Sequence, residues 1–354
     1  MKGLILAGGR GKRMGPFARD TAKQLLPVAN RPILHYAIDQ MVNIGISDIG
    51  VIISPETGRQ VQESLAQSTA DCAVSFILQK KPQGIAHCIQ IAREHLGDEP
   101  FLMFLGDNLI GGDLTTFSEM FRASEPDALI LLKAVDRPDR FGVAELDHRG
   151  RIIRVSEKPC HPSSNLAILG IYAFSPSIHD VILSLVPSDR GELEITDALQ
   201  ILIDRGGSVR NLQHEAWWFD VGTVEDLIAA NRLALRETAR KDLRGQCDSA
   251  TSVIGDVYLS PGTYVEDSVL RGPLVIDSGT RIISSTLGPG TSVGKECEIV
   301  GSRVVESLVF DKARIEGAWL ERSLIAEDAE VVDSGPSESN ARCVIHSEGS
   351  LRFR

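Results

Sequence analysis

Short apolar runs alternate with amphipathic stretches over the first two-thirds of the chain. Leu4 to Ala7 is a compact apolar run ending at Gly8-Gly9, the pattern of a strand covered on both faces. Ile33, Leu34, Tyr36, Ala37, Ile38, Met41 and Val42 recur at three- and four-residue spacing after Pro32 and stop at Gly45, which predicts a helix. Ile49 to Ile53, Phe101 to Leu105 and Ala128 to Val135 predict further strands, the middle one closing at Gly106-Asp107. Strands alternating with helices predict an α/β domain with a mostly parallel central sheet. Ligands of such sheets bind beyond the carboxyl ends of the strands. Gly8 to Arg13 and Asp107 both fall at strand ends, so a single crevice can hold both.

After a helical stretch that begins at Asp226 and runs to residue 238, the segment from Arg240 to Ser249 turns polar, and then the texture changes. Gly, Ser and Thr punctuate short Val/Ile/Leu units at a seventeen-residue period: Leu259, Ile276, Val293 and Phe310 in one register, Val265, Ile282 and Ile299 in a second, Leu270, Leu287 and Val304 in a third. Three rungs with one inward apolar residue each make one coil of a parallel β-helix. A plain β-sandwich would produce such spacing only by accident, and three registers agree. The period slips after Phe310, where Ile315 and Leu320 come a residue early. The expected organisation is therefore a first domain over 1–238, a linker over 239–250, a β-helix over 251–333 and a polar tail over 334–354.

A chain of 354 residues fits two domains and can bury a sizeable core without staples. Lys plus Arg number 37 against 48 Asp plus Glu, a formal charge of -11, so neither nucleic acid nor an anionic membrane is the expected partner. The six cysteines are far apart and form no CxxC pair, which suits a reducing, cytoplasmic setting and argues against a zinc ribbon. The first apolar run is too short for a signal peptide and no stretch is long enough to span a bilayer, so a secreted or integral membrane protein is not expected.

Four motifs carry candidate chemistry. Leu6-Ala7-Gly8-Gly9-Arg10-Gly11-Lys12-Arg13 puts glycines after a strand, where backbone N–H groups approach phosphate oxygens. It is neither a Walker A loop nor a dinucleotide fingerprint, and an ordinary glycine turn is its bland reading. The basic cluster, with Lys23 beyond it, reverses the sign of an acidic chain locally and favours a polyphosphate site. Asp107 and Asp220 each stand beside an apolar run, where an unpaired carboxylate is costly. A hard divalent cation on a triphosphate would neutralise both, whereas a helix N-cap is the simpler reading for Asp220. Ser156-Glu157-Lys158-Pro159 offers a carboxylate for sugar hydroxyls and a lysine for phosphate, but alone reads as a solvated turn. Asp189 to Asp197 alone reads as acidic residues complementing a helix dipole.

Taken together, the chain resembles the sugar-1-phosphate nucleotidylyltransferases, specifically the long-form glucose-1-phosphate thymidylyltransferases with a C-terminal left-handed β-helix. The matching stretches run in order through Leu6 to Arg13, Ala22-Lys23-Gln24-Leu25-Leu26-Pro27, Gln79 to Gly84, Leu105 to Asn108, Arg140-Phe141-Gly142-Val143, Glu157-Lys158-Pro159, Arg190 to Asp197 and Trp218 to Thr223. The resemblance implies a Rossmann-like catalytic domain and the following roles. Leu6, Gly8, Gly9, Gly11 and Arg13 line the site of the nucleotide triphosphate, with Arg13 and Lys23 catalytic. Gln24, Gln79 and Gly84 read the pyrimidine. Asn108, Gly142, Glu157 and Gly170 contact the glucosyl ring, and Lys158 and Arg190 grip its phosphate. Asp107 and Asp220 hold Mg²⁺. The implied reaction joins dTTP and glucose 1-phosphate to give dTDP-glucose and pyrophosphate. The chain departs from the family pattern at Lys12, Ala18, Phe141, Leu169 and the short segment Leu109-Ile110-Gly111-Gly112.

Three rivals follow. One is the same chemistry with UTP or another sugar 1-phosphate, since a thymine methyl needs only an apolar niche. A second is a non-catalytic sugar-nucleotide-binding regulatory subunit. The third is acyl transfer on the β-helix, which usually wants a histidine base; none lies between Thr251 and Val332. The β-helix is therefore expected to be structural and to make a homo-oligomer.

Overall fold

The buried apolar runs become the strands of a nine-stranded sheet. The computed structural model describes residues 1–9, 14, 21–66, 72–333, 341, 343–345 and 349–353. Strands β1 (Lys2–Leu6), β2 (Asp48–Ile53), β3 (Ala73–Leu78) and β4 (Phe101–Leu105) lie parallel in the order β3-β2-β1-β4. Leu4, Ile5 and Phe101 to Met103 have no exposed surface, as strands covered on both faces require. One cover is the helix Ile33–Asn43, which buries Ile33, Leu34, Ala37, Ile38 and Met41 of the stripe read from sequence.

The chain moves outward from β1 to β3 and then returns on the other side of β1 as β4. Strand order thus reverses between β1 and β4, which is where an open α/β sheet forms its crevice. The Gly106 N–H donates to the Leu6 carbonyl at 3.0 Å and ties the two strand ends together. A Cβ on Gly106 would lie 2.9 Å from that oxygen, so this approach requires glycine.

The next strands frame the crevice. β5 (Asn108–Ile110) leaves the sheet and later pairs antiparallel with β11 (Trp218–Asp220). Between them come β6 (Ala128–Ala134), β7 (Gly142–Leu146), β8 (Ile152–Glu157), β9 (Leu166–Phe174) and β10 (Val209–Gln213). β9 joins antiparallel to β4, β6 and β7; β8 closes one edge on β7, and β10 runs parallel to β6.

From Asp242 onward, short strands stack in register as three parallel sheets of seven, seven and five strands, the faces of a β-helix. Val265, Ile282, Ile299, Ile315 and Val331 form one inward column, each fully buried. Leu270, Leu287, Val304 and Leu320 form another. The slip in period falls one rung earlier than the sequence suggests. Val293 pairs with Val309, not Phe310, and Val309 takes the buried position. The corner after Leu287 holds Gly288-Pro289-Gly290, and the matching corner after Val304 is one residue shorter. Strand pairing also extends into the segments read as linker and tail. Asp242–Leu243 and Gln246–Cys247 pair with the first coil, and Val344–Ile345 and Ser350–Phe353 with the last.

Two compact units result. One combines the described residues up to Gly9 with Ile33–Asp220; the other combines Met14 and 21–32 with the described residues from Val221 onward. The helix Val224–Thr238 belongs to the second unit, although the sequence places it in the first domain. All six cysteines are free thiols, and no helix among the described residues is long and apolar enough to cross a membrane.

Candidate active site

The crevice at the β1/β4 switch point begins with Leu6 to Gly9, which follow β1 as an open backbone segment. Ala7 N–H donates to the Ile52 carbonyl at 2.8 Å, which holds the start of this segment on β2. A Cβ on Gly8 would lie 3.6 Å from Gln79 Oε1, so the Gln79 amide stands over this glycine. Gly11 and Arg13, like Arg10, Lys12 and Ala18, lie outside the described residues.

Gln79 follows β3 directly and is 8% exposed. Its Nε2 lies 3.0 Å from His87 Nδ1 and 3.2 Å from Cys88 Sγ. Burial lowers the His87 pKa and pushes the Cys88 thiol up to about 12. Neither residue is therefore charged at neutral pH, and Cys88 is no thiolate nucleophile. Gly84 has φ +97, and a Cβ there would lie within bonding clash of the Leu193 carbonyl, so the turn carrying it admits only glycine.

Beyond β4, the two aspartates stand near each other in the register of two paired strands. Asp220 is in register with Asn108, the neighbour of Asp107. Asn108 is 1% exposed and its amide is used at both ends: Nδ2 donates to Asp107 Oδ1 at 3.0 Å, and Oδ1 accepts from Trp218 Nε1 at 2.7 Å. Trp218 is held edge-on against Phe141, ring centroids 5.1 Å apart. The helix-cap reading of Asp220 fails for a specific reason. Thr223 caps the helix, accepting from Asp226 N, while the Asp226 carboxylate accepts from Thr223 N. Two carboxylates on adjacent strand ends suit a hard divalent cation completed by phosphate oxygens. No group of three His, Cys, Asp or Glu residues with metal-site geometry occurs among the described residues.

A third cluster lies at the edge strands. Glu157 ends β8 opposite Gly142 of β7. Its Oε1 is 3.1 Å from both Lys158 Nζ and Arg190 Nη1, and its Oε2 accepts from Thr196 Oγ1 at 3.4 Å. A Cβ on Gly142 would lie 2.9 Å from Thr196 Cγ2, which explains the open floor beside the carboxylate. Arg190 also contacts Glu192 at 3.1 Å and Glu194 at 3.4 Å. Burial raises the Glu194 pKa against the pull of the Ser188 hydroxyl, 2.9 Å away. Burial, and then Glu157, raise that of Asp197. Gly170 is buried in β9, where a Cβ would strike the Leu105 side chain at 2.7 Å, so it serves strand packing.

The first unit contains Leu6, Gly8, Gly9, Gln79, Gly84, Asp107, Asn108, Gly142, Glu157, Lys158, Gly170, Arg190 and Asp220, in the three local groups just described. Lys23 and Gln24 belong to the second, on the 3-10 turn Lys23–Leu25; they are 5% and 1% exposed, and Gln24 Oε1 is buried with no hydrogen-bond partner among the described residues. Trp218, Thr196, Glu194 and His87 went unassigned from sequence. Trp218 was the most legible of them, since an indole in a run that ends in an acid needs a buried acceptor.

Comparison with known proteins identifies the family. The nucleotidyl transferase family model matches residues 2–237. A glucose-1-phosphate thymidylyltransferase of Streptomyces griseus is 41% identical over 99% of this chain and 98% of its own length. A protein of the same name from Streptomyces antibioticus is 40% identical over the whole of both chains. A crystal structure of a putative glucose-1-phosphate thymidylyltransferase from Bacillus anthracis superposes with TM-score 0.63 at 36% identity, covering 66% of this chain and 95% of that one. With a sheet reversal, a glycine-lined strand end and a match across nearly the whole first 237 residues, the chain belongs to the nucleotidyl transferase family.

Proposed function

We propose that this protein is a glucose-1-phosphate thymidylyltransferase, making dTDP-glucose and pyrophosphate from dTTP and glucose 1-phosphate. The observation that supports the reading is the register pairing of Asp220 with Asn108, the residue next to Asp107, on the strand that directly follows β4. A phosphate oxygen of glucose 1-phosphate attacks the α-phosphorus of dTTP. One P–O bond forms, the bond to the β-phosphate breaks, and pyrophosphate leaves with that electron pair. The nucleophile is already an anion, so the site needs no strong base, in keeping with a Cys88 and a His87 that stay neutral.

The work left to the protein is alignment of two anions and stabilisation of growing charge. Lys158 and Arg190 hold the sugar phosphate, while Glu157 and Asn108 take sugar hydroxyls. Arg13 and Lys23 offset charge on the triphosphate. Gln24 and Gln79 read the pyrimidine; the unpartnered Gln24 Oε1 suits an imide N–H. Asp107 and Asp220 would hold Mg²⁺, which supplies charge neutralisation at the phosphates. The free thiols fit a cytoplasmic enzyme, and half-exposed apolar residues on the β-helix, Ile254 and Val344 among them, fit a homo-oligomer.

The test is pyrophosphate release with magnesium from dTTP or UTP paired with several hexose 1-phosphates. The reading expects the highest kcat/KM for dTTP with glucose 1-phosphate. A strong preference for UTP would replace the nucleotide assignment, and no release with any pair would leave a sugar-nucleotide-binding protein without catalysis.

A further inference from the structure

Within the second unit, one fully buried side chain ties three separate pieces of chain together. Asn231, on the helix Val224–Thr238, has no exposed surface. Its Oδ1 accepts from Ala29 N at 2.8 Å and lies 2.9 Å from the Ser292 hydroxyl; its Nδ2 donates to the Gly290 carbonyl at 3.4 Å. Both lone pairs of the amide oxygen are therefore used, one on the hairpin Pro27–Pro32 and one on the coil strand Thr291–Val293.

The hairpin needs such a hold. Its two turn residues, Ala29 and Asn30, have φ of 49° and 61°, both in the left-handed region that alanine adopts only at a cost. The turn persists because the surroundings over-determine it. Asn231 takes the Ala29 N–H, and the Asn30 side chain donates to the Val293 carbonyl at 2.6 Å. Beside Asn231, Arg232 reaches Glu306 on the next coil at 3.4 Å. The hairpin is thus clamped to the β-helix from both sides of its turn. Immediately before it lies the 3-10 turn Lys23–Leu25, closed by Leu25 N to Ala22 O at 2.8 Å and Leu26 N to Lys23 O at 3.2 Å. No flexible linker separates Lys23 and Gln24 from the clamped turn.

We infer that Asn231 is a positioning residue for nucleotidyl transfer: through the 27–32 hairpin it fixes Lys23 and Gln24 against the β-helix coil that carries Ser292. This rests on the reading of Lys23 and Gln24 as nucleotide-binding residues. The β-helix then supports the chemistry as well as the assembly, without contributing a reacting group. A loss of alignment by about 1 Å at such a residue can cost on the order of 100-fold in rate.

The experiment compares steady-state kinetics of the full-length wild type, Asn231→Ala, Lys23→Ala and the double variant, at a temperature where each is folded by circular dichroism. Asn231→Ala is expected to lower kcat by about 10-fold to 100-fold and raise the KM of dTTP, with the KM of glucose 1-phosphate within about twofold of wild type. The double variant should be no slower than Lys23→Ala, because one effect runs through the other. Should Asn231→Ala not fold, Ser292→Ala, which deletes a single bond of the clamp, replaces it with the same expected pattern on a smaller scale. Wild-type kinetics in a folded Asn231 or Ser292 variant, or equal changes in both KM values, overturns the inference while a slow Lys23→Ala leaves the parent reading standing. A fully active Lys23→Ala overturns both.

Discussion

Replacing Trp218 by Phe isolates the bond that orders the acidic end of the crevice. The phenyl ring keeps most of the packing against Phe141, 5.1 Å away, and deletes the N–H that reaches Asn108 Oδ1 at 2.7 Å. Asn108 is 1% exposed, so water does not take over the lost bond. Leaving a buried acceptor unsatisfied costs about 1–3 kcal/mol. For a unit of this size, each kcal/mol lowers the melting temperature by roughly 2–4 °C. Function should suffer more than stability. The Asn108 amide, released at one end, is free to rotate, and the bond from Nδ2 to Asp107 Oδ1 at 3.0 Å goes with it. Asp107 then loses one of the contacts that orient its carboxylate, which the proposed function assigns to the metal. Initial rates of pyrophosphate release against magnesium concentration, beside a thermal melt, read both effects. The expected result is a melting temperature lower by several degrees, turnover reduced about tenfold and a higher half-saturating magnesium concentration. An unchanged magnesium dependence, with the melting temperature lowered as stated, would refute the link between Trp218 and Asp107. An unchanged melting temperature would refute the buried-acceptor argument itself.

Lys158→Ala should raise the KM for glucose 1-phosphate by at least about tenfold and leave the KM for dTTP nearly unchanged; equal loss for both substrates contradicts its role. Ile299→Ala, at a fully buried position between Ile282 and Ile315, should destabilise the β-helix by about 2–5 kcal/mol, read by chemical unfolding, and a loss below 1 would mean the coil collapses around the cavity. Burial lowers the pKa of His87, His179 and His214 from the ordinary 6.5, so the unfolded chain binds more protons than the folded one just below that value. Their share of stability is complete above pH 6.5 and drains as the pH falls toward the depressed folded values. Raised Glu194 and Asp197 act with the opposite sign, so the readout is the difference between wild type and His179→Phe, which keeps the stack on Phe101. That difference should shrink from pH 7 to pH 5; a constant difference removes His179 from the account.

Elements with a strong period were legible before any coordinates. The stripe from Ile33 to Met41 and the inward columns through Ile282 and Leu287 occupy the faces their spacing implies, because burial of one face dominates their energetics. What escaped were features decided by a single residue. The sixteen-residue coil depends on one fewer residue at the corner after Val304, and Phe310 was an acceptable apolar substitute for Val309 on sequence alone. The helix Val224–Thr238 lies inside the family match over residues 2–237 and yet packs with the second compact unit, which its sequence pattern alone does not state. Its apolar stripe states that a face is covered and not by which partner; Asn231, a polar residue on that stripe, was the mark of a specific partner.

The candidate site shows the same division between what a motif states and what a fold adds. Glu157, Lys158 and Arg190 were each readable as solvated charges. Folded, the Glu157 carboxylate lies 3.1 Å from both cations, and Arg190 also meets Glu192 and Glu194. The cations of this cluster are thus paired with carboxylates of the same chain. On the proposed role of these residues, binding a sugar phosphate is an exchange of anions around Lys158 and Arg190. The gain is the difference between a phosphate and the displaced carboxylate, far smaller than the full attraction of two bare cations. The exchange also frees Glu157, which stands opposite Gly142, to accept hydroxyl hydrogen bonds from the sugar whose phosphate displaced it. A free phosphate ion would break the same ion pairs without supplying those hydroxyls. The proposed site would therefore favour the complete sugar phosphate over its anionic part, using charges that are paired within an overall acidic chain.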